Sequence, residues 1–424
     1  MGRNIRCYNA YFGDCYAITD DENKLIVDFG IHSCSKILDG GNLDNQLDKI
    51  SNDLIVNYEN SDILITHFHY DHICGFVRMC EKGSGFHHFG KIYIPNIWGS
   101  PNIIATNLLE SLIISFLYKN KRMVGYTAKN GISLLDFINY ISKNGVRDVY
   151  NLKRGDIFFD NKYITLLPDD NILNTISGDY LAIRKRLIDI IHKLLGDNNK
   201  EDENDNRVND NDSIVGYLEE LDKIAENTSE LLKNDQVTFN DETRESFDEI
   251  YREYKNFEES FLEYLQSITD EKPGFDDFKD LFKDKLNSYG NRISIVFQNR
   301  LGEENLLFTG DSEKSDLLRI INNPSTNIEL NIKDNYKYLK LPHHGTKTHF
   351  VNFSTHHIYA ENVLIPNAKV SCGRWVIDKR YGPLGEMKIC AASNNCDCIV
   401  SCREPNLICG SEKNTIYPDL YLDI

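Results

Sequence analysis

The chain has 424 residues, of which 41% are hydrophobic and 11% aromatic, and its formal net charge is −18. This apolar content supports a folded core and excludes a chain that is disordered throughout. No apolar run approaches the roughly 18 residues that a membrane span requires, so we expect no membrane partner. Residues 1–6 lack the apolar stretch of a secretion signal. The expected location is therefore cytoplasmic, with the 11 cysteines reduced.

Short strands and helices alternate through the first 169 residues. Extended segments rich in β-branched residues predict strands, and apolar residues every three or four positions predict helices. The predicted strands lie at 5–10, 16–19, 25–28, 61–66 and 91–95, with a hairpin at 156–167 that turns at Asp160-Asn161. The predicted helices lie at 102–117 and 133–142. This mixture is typical of an α/β fold.

Acidic residues are concentrated in the middle of the chain. Residues 171–290 hold 30 acidic and 15 basic side chains, whereas the rest of the chain is close to neutral. A helix is predicted at 180–195, and the polar run 196–212 predicts a solvated linker or disordered loop. Apolar residues from Phe247 to Ile268 recur every three or four positions and predict a helix with one continuous apolar stripe. The stripe is typical of a helical hairpin packed on itself or on the core, and the alternative is a partner-binding surface.

Strand character returns near the end of this acidic segment. Strands are predicted at 292–298, 305–309, 336–341 and 362–366, with a helix at 314–322. We therefore predict one α/β domain made from residues 1–169 and 289–424, with residues 170–288 as an acidic helical insertion.

Five cysteines lie close together in the last part of the chain. Only Cys398 and Cys402 have the spacing of a zinc knuckle. Core packing is therefore predicted for these thiols, and a structural zinc is the alternative. The five are Cys390, Cys396, Cys398, Cys402 and Cys409.

A dense group of metal-ligand residues follows the strand predicted at 61–66. His67 and His69 lie two residues apart, so in an extended chain both can face one metal. Asp71 and His72 follow where the chain leaves the strand, and they can turn to a neighbouring metal. Imidazole and carboxylate ligands suit zinc, manganese or iron.

Two later strand ends carry further candidate ligands. Asp311 follows Gly310 after an apolar strand, and His343-His344 follow another strand and precede Gly345. Each pattern is common alone, but their joint occurrence in this order, after His67–His72, indicates a shared site. A two-metal site needs a bridging carboxylate and a further imidazole, which Asp311 and one of the two histidines are placed to supply.

Together these motifs resemble the metallo-β-lactamase superfamily, in particular its competence-protein-like branch. The resemblance implies an αββα sandwich with the site at one edge of two facing sheets. The matching elements are Gly13-Asp14, Asp28-Phe29-Gly30, Thr66 to His72, Asn291-Arg292-Ile293-Ser294, Asp311 and His343-His344-Gly345-Thr346.

The resemblance also implies two divalent metal ions, Zn²⁺ in preference to Mn²⁺. One metal would be held by His67, His69 and Asp311. The other would be held by Asp71, His72, Asp311 and one of His343 and His344, with His344 favoured as the ligand and His343 as a catalytic contact.

The chain departs from the family pattern in two places. No histidine between the first motif and Asp311 matches the one that many members carry, and His87-His88 are predicted to be a surface loop. Near the end, Tyr381-Gly382-Pro383-Leu384 stands where the branch tends to have Tyr-Gly-His-Pro.

The expected activity is hydrolysis by a metal-bridging hydroxide, because bound cations lower the pKa of water from near 16 to about 7. Asp71 is expected to orient this hydroxide. His343, Thr346 and Lys347 are placed to contact a phosphate, which favours a phosphodiesterase or nuclease. The chain has no Arg/Lys-rich run, so single-stranded substrates are favoured over duplex DNA. The alternatives are a partner-regulated effector that docks through residues 170–288, or a thioester or lactone hydrolase.

Overall fold

The fold is built on two mixed β-sheets with helices outside them. The computed structural model describes residues 3–8, 10, 13–31, 41–83, 85–120, 132–196, 210–269, 275–282, 286–300, 305–365, 379–390, 407–409 and 420–422. Among these residues, each sheet has eight strands. The α/β class predicted from the sequence is confirmed.

The first sheet runs antiparallel at its start and parallel at its centre. The strands β1, β2 and β3 pair antiparallel, and the pairs from β3 to β6 are parallel. The edge strands β16 and β9 pair antiparallel with β1 and β6. In spatial order the strands are β16 (Leu420–Leu422), β1 (Arg3–Cys7), β2 (Cys15–Asp20), β3 (Asn23–Phe29), β4 (Asp62–Leu64), β5 (Ile92–Pro95), β6 (Asp148–Leu152) and β9 (Gln236–Thr238).

The second sheet has the same mixed character. Its strands from β7 to β11 pair antiparallel, and those from β11 to β15 pair parallel. In spatial order the strands are β15 (Leu407–Cys409), β14 (Gly385–Cys390), β13 (Tyr359–Ile365), β12 (Asn335–Lys340), β11 (Leu306–Phe308), β10 (Val296–Asn299), β8 (Tyr163–Leu167) and β7 (Ile157–Phe158).

Alternate side chains of each strand point to opposite faces, and this alternation builds two cores. Leu25 and Val27 of β3 pack in a cluster shared with the second sheet, whereas Ile26 between them packs on the helical side. Across the sheets, the rings of Tyr16 and Phe308 meet edge to face with centroids 5.1 Å apart. The two sheets therefore pack face to face, with helices on their outer sides.

Ten α-helices complete the described part of the chain. The start of α4 is fixed by a capping box, in which the Ser133 hydroxyl accepts from the Asp136 amide and the Asp136 carboxylate accepts from the Ser133 amide. The helices are α1 (Gly41–Asn57), α2 (Tyr70–Glu81), α3 (Pro101–Lys119), α4 (Leu134–Lys143), α5 (Asp170–Gly196), α6 (Asp210–Leu232), α7 (Asp241–Thr269), α8 (Phe275–Leu281), α9 (Asn287–Arg292) and α10 (Lys314–Asn322).

Residues 170–288 are mostly helical and pack on the first sheet's side of the molecule. The helices α5, α6, α7 and α8 all contact α3, and β9 extends the first sheet. The apolar stripe of α7 is core, because residues such as Phe247, Tyr254 and Phe261 are fully buried. The stripe is therefore not a partner-binding surface. Docking of a partner on the acidic outer face of this segment stays a prediction.

Two element boundaries lie well away from the predictions. Helix α5 begins at Asp170, ten residues before the predicted start, where the Asp169 side chain accepts from the Ile172 amide. The strand predicted at 292–298 begins only at Val296, because α9 runs to Arg292. The hairpin turn at Asp160-Asn161 is confirmed, and both residues have positive φ.

Several predictions fall on residues outside the described part of the chain. These are most of the polar run 196–212, together with Cys396, Cys398 and Cys402. Cys390 and Cys409 are register partners in β14 and β15. Among the described residues, no helix combines the length and apolarity that a bilayer crossing demands.

Candidate metal centre

The candidate ligands of the first motif lie where the chain passes from β4 into α2. Residues 65–69 lie between β4 and α2 in neither helix nor strand, and His69, whose backbone is extended, precedes the first residue of α2. Asp71 and His72 lie in the first turn of this helix. His67 and His69 therefore precede the helix, and Asp71 and His72 lie within it.

Four side chains from distant parts of the sequence converge at this bend. One donor atom each of Asp71, His72, Asp311 and His344 lies within 4.8 Å of the others. The Asp311 Oδ2 atom is 3.4 Å from His72 Nε2 and 3.7 Å from His344 Nε2. The latter nitrogen is 3.4 Å from Asp71 Oδ2. This group is the set predicted for the second metal, with His344 rather than His343 in it.

The tertiary fold explains this convergence. Asp311 follows β11 and His344 follows β12, which are neighbouring parallel strands, so both residues leave the sheet at the same edge. At the turn after β11, Gly310 has a φ of +51°, and an added Cβ would lie 2.9 Å from the Cβ of Ser294. A glycine is therefore required to bring Asp311 into the site.

Hydrogen bonds fix which ring nitrogen of His72 and His67 is left free. Asp28 accepts from the Thr66 hydroxyl at 2.6 Å and from His72 Nδ1 at 2.8 Å. Because the Thr66 hydroxyl donates to Asp28, it accepts from His67 Nδ1 at 3.2 Å. Within the described part of the chain, the buried Nε2 atoms of His67 and His72 make no hydrogen bond, and Asp311 Oδ2 lies 3.4 Å from that of His72. Two buried imidazole nitrogens without a hydrogen bond fit a metal ion.

His69 lies beside His67, with ring centroids 4.6 Å apart. Its Nε2 atom is 3.3 Å from the carboxylate of Glu110 on α3. Among the described residues, the groups of three or more close donors are the group of four and a second one of Asp14, Asp28 and His72. His67 and His69 are in neither group, so the structure does not bring them as close to Asp311 as the first predicted metal would require.

A buried lysine separates two carboxylates of the centre. Lys340, the last residue of β12, has 1% of its side chain exposed. Its ammonium group contacts Asp14, donates to Gly310 O at 2.8 Å and lies 3.2 Å from Asp311 Oδ1. One oxygen of Asp311 therefore faces the lysine, and the other faces the histidines.

The charges at the centre favour a cation. Burial opposes a charge on His72, but the carboxylates of Asp311 and Asp28 outweigh it and hold the pKa of His72 well above its usual range. The pKa of His344 is also raised, because Asp311 and Asp71 outweigh the effect of burial. Burial acts to raise the pKa of Asp311, but the positive charges of Lys340 and His72 hold it well below its usual range. A metal ion would take the place of the protons that these imidazoles otherwise hold.

No family model matches the sequence, and a comparison with curated proteins gives no match. The site is therefore interpreted from its own donor set. Two imidazoles and two carboxylates, three of them almost fully buried, are ligands that zinc or manganese accepts.

The three residues predicted to contact substrate differ in how far they are exposed to solvent. His343 is 12% exposed, lies 3.9 Å from Asp311 Oδ2 and stacks on His349 with centroids 3.9 Å apart. Lys347 is exposed, whereas Thr346 is 2% exposed and its hydroxyl lies 3.3 Å from His349 Nδ1. His343 and Lys347 are thus more open to a ligand than Thr346 is.

Backbone strain accompanies the histidine pair. His343 and His344 both have positive φ, at 42° and 56°. Non-glycine residues in this region cost about 1–3 kcal/mol each and persist where surrounding contacts hold them.

The pair His87-His88 lies at the surface, as predicted. His87 is exposed and His88 is half-buried in a short 3₁₀ helix.

Three residues of the centre were not identified as functional from the sequence. Lys340 reads as one of two lysines in the strand predicted at 336–341, and Asp14 as part of a turn. Glu110 is the one charged residue within the apolar run of α3, between Pro101 and Lys119. A lone carboxylate in an apolar helix could have indicated a residue with a buried polar partner, because burying a carboxylate without one is costly.

Proposed function

We propose that this protein is a metal-dependent hydrolase of the metallo-β-lactamase superfamily type, from its competence-protein-like branch, and that it cleaves phosphodiesters. The observation that carries this proposal is the convergence of Asp71, His72, Asp311 and His344 at one sheet edge. The same four residues belong to the motifs that resemble this superfamily. Two face-to-face mixed sheets with outer helices support the αββα architecture that such an enzyme requires.

Three of the four candidate ligands are buried, and the fourth, Asp71, is partly exposed to solvent. His72, Asp311 and His344 have at most 2% of their side chains exposed, whereas Asp71 has 20%. Divalent cations bound here would lower the pKa of water and polarise a phosphoryl oxygen. Asp71, at the open side, is the residue placed to hold and orient the attacking water. His343 is partly exposed, and its Nδ1 atom lies 3.3 Å from the side-chain nitrogen Nδ2 of Asn291. It is therefore placed to contact the substrate.

Cysteine chemistry is a poor alternative for Cys74 and Cys80. Cys74 and Cys80 are buried, and burial raises the pKa of each thiol to about 12. Such thiols stay protonated near neutral pH and are weak nucleophiles. This supports a reaction in which water attacks the substrate directly.

The first test combines metal content with a substrate panel. The purified protein is expected to retain zinc or manganese and to hydrolyse bis-p-nitrophenyl phosphate, single-stranded DNA or RNA. Asp71→Ala is expected to lower the rate by at least 100-fold, because the water loses its orienting carboxylate. Two control variants remove the same residue types elsewhere. These are Asp48→Ala on α1, where the carboxylate pairs with Lys82, and His87→Ala on the surface.

The results separate the proposed activity from its alternatives. Protein that binds no metal, or that cleaves none of these substrates with metal bound, contradicts the phosphodiesterase proposal. If the same metal-loaded protein instead cleaves a thioester or lactone, the assignment as a hydrolase stands and the proposed phosphodiester substrate is wrong.

A further inference from the structure

We propose that His349 is a positioning residue that holds the ring of His343 in place at the open side of the metal centre. The inference rests on the proposed function, because His343 is the side chain placed there to contact the substrate. His349 belongs to neither group of close donors among the described residues, so the task assigned to it is separate from metal binding.

The rings of His343 and His349 lie face to face. Their centroids are 3.9 Å apart and their planes are within 26° of parallel. His343 and His344, although adjacent in sequence, meet edge to face with centroids 5.5 Å apart. Stacked aromatic rings attract each other by about 0.5–1.5 kcal/mol beyond the area that they bury. His349 therefore covers one face of the His343 ring and favours one position for it.

Hydrogen bonds hold His349 at both edges of its own ring. Its Nε2 atom lies 3.2 Å from Glu313 Oε1, and its Nδ1 atom lies 2.9 Å from the Thr348 hydroxyl oxygen. His349 is 7% exposed, so water does not readily replace these partners. Turning the ring would break both contacts. The ring of His349 is therefore a fixed surface for its neighbour to pack on.

The backbone that carries His349 is held as well. Residues 347–349 form a 3₁₀ turn. The hydroxyl of Tyr381 donates to the carbonyl of His349 at 3.4 Å and accepts from the Val351 amide at 3.3 Å. Tyr381 is 2% exposed, and its ring packs edge to face on Phe350 with centroids 4.7 Å apart. The stacked ring is thus anchored from a segment that lies beyond the metal motifs in sequence.

The ring of His343 depends on such contacts, because its backbone is strained. Its φ of 42° is costly for a residue with a side chain. The ring has Asn291 Nδ2 3.3 Å from its Nδ1 atom, and His349 lies against its face. Removing His349 would uncover that face and let the ring move. A displacement of about 1 Å in a reacting group can cost about 100-fold in rate.

The test compares His349→Leu, which removes the stacked ring, with His349→Phe, which keeps a ring and loses the hydrogen bonds. Hydrolysis of bis-p-nitrophenyl phosphate by the Zn²⁺-loaded proteins gives kcat and KM. His349→Leu is expected to lower kcat by about 10–100-fold, with KM and zinc content nearly unchanged. His349→Phe is expected to retain most of kcat, because the stacking is kept.

A double-mutant cycle shows whether His349 acts through His343. If it does, His349→Leu should cause no further loss of kcat in a protein that already carries His343→Ala. A general effect on folding would instead lower kcat by the same factor in both backgrounds. Proton spectra of the metal-free protein add a readout that needs no activity, because loss of the stacked ring shifts the ring signals of His343.

The pair His87-His88 offers a matched control. Its two rings are also neighbours, with centroids 4.1 Å apart, and His88 Nδ1 lies 3.8 Å from a carboxylate oxygen of Glu59. His88→Leu removes a histidine in similar surroundings at the surface, and it should leave kcat and KM unchanged.

The outcomes separate this inference from the proposed function. If the unmodified protein cleaves the diester and His349→Leu has the same kcat, or the losses in the double variant are additive, the positioning role is refuted while the hydrolase stands. If the unmodified protein binds zinc but cleaves no phosphodiester, the proposed function fails, and unchanged His343 signals in His349→Leu would refute the stacking as well. If His349→Leu does not fold, His349→Asn takes its place with the same expected loss, since it removes the ring and keeps a polar side chain.

Discussion

Replacing Lys340 with methionine removes the buried ammonium group that lies between two buried carboxylates. The side chains of Lys340, Asp14 and Asp311 are each at most 2% exposed, so water cannot compensate for the lost charge. Breaking a buried ion pair by removing one partner typically costs 3–5 kcal/mol. We expect Lys340→Met to lower the free energy of unfolding by about 3–5 kcal/mol.

The corresponding shift in melting temperature follows from the size of the chain. Unfolding entropy near 60 °C is about 2.1 cal/mol/K per residue. For 424 residues this gives about 0.9 kcal/mol/K, so a loss of 3–5 kcal/mol lowers the melting temperature by about 3–6 °C. The assay is thermal unfolding of the metal-free protein, followed by circular dichroism.

The loss should also depend on pH. Lys340 helps hold the pKa of Asp311 below its unfolded value, so in the unmodified protein this carboxylate stabilises the fold above about pH 4. Without the lysine the pKa of Asp311 is expected to rise, so its carboxylate contributes less to stability above about pH 4. The deficit of Lys340→Met is therefore expected to be full at neutral pH and to shrink as the pH falls below about 4.

A control variant separates the charge effect from the loss of hydrogen bonds. Lys333 donates to Asn299 O and Asn305 Oδ1, which are neutral acceptors, so Lys333→Met should cost only about 1–2 kcal/mol. If Lys340→Met melts within 1 °C of the unmodified protein, or no lower than Lys333→Met, the reasoning about a buried charge network is refuted.

Three further predictions concern metal binding. Gly290→Ala should displace the His69 ring, since its Cβ would lie 2.0 Å from Nε2, so calorimetry should show weaker Zn²⁺ binding and the clash should also lower the melting temperature. Asp28→Asn should lower Zn²⁺ affinity by about 10–100-fold, because His72 loses its carboxylate acceptor; an unchanged affinity would contradict the tautomer assignment. Zn²⁺ affinity should fall from pH 8 to pH 6, because the raised pKa values of His72 and His344 let protons compete; proton release on binding measures this directly.

Local patterns in the sequence were sufficient for most elements and for the four candidate ligands that the structure brings together. The run from His67 to His72 is contiguous, so its spacing alone indicates how two imidazoles share one side of an extended chain. Asp311 and His344 could be added because each follows an apolar strand. The structure brings Asp311 to within 3.4 Å of His72 and places both Asp311 and His344 in one group of four donors with it.

Other features depended on contacts between elements far apart in sequence. The apolar stripe of α7 shows the same periodicity whether it packs inside the protein or faces a partner, and only the positions of α4 and α6 decide that it is buried. Thr346 follows two candidate site histidines in sequence, but its hydroxyl faces His349 in the structure. The position of Thr346 next to the histidine pair in sequence therefore did not determine where its hydroxyl points.

The sequence by itself determined which residue types are available to hold a metal and at which strand ends they lie, because these depend on spacing along the chain. Only the tertiary structure decided which nitrogen of each imidazole is free and what neutralises the carboxylates. Asp28, Glu110 and Lys340 act across distances of 29 to 44 residues in sequence. Their roles arise from burial, where each charge needs a partner that local pattern does not specify.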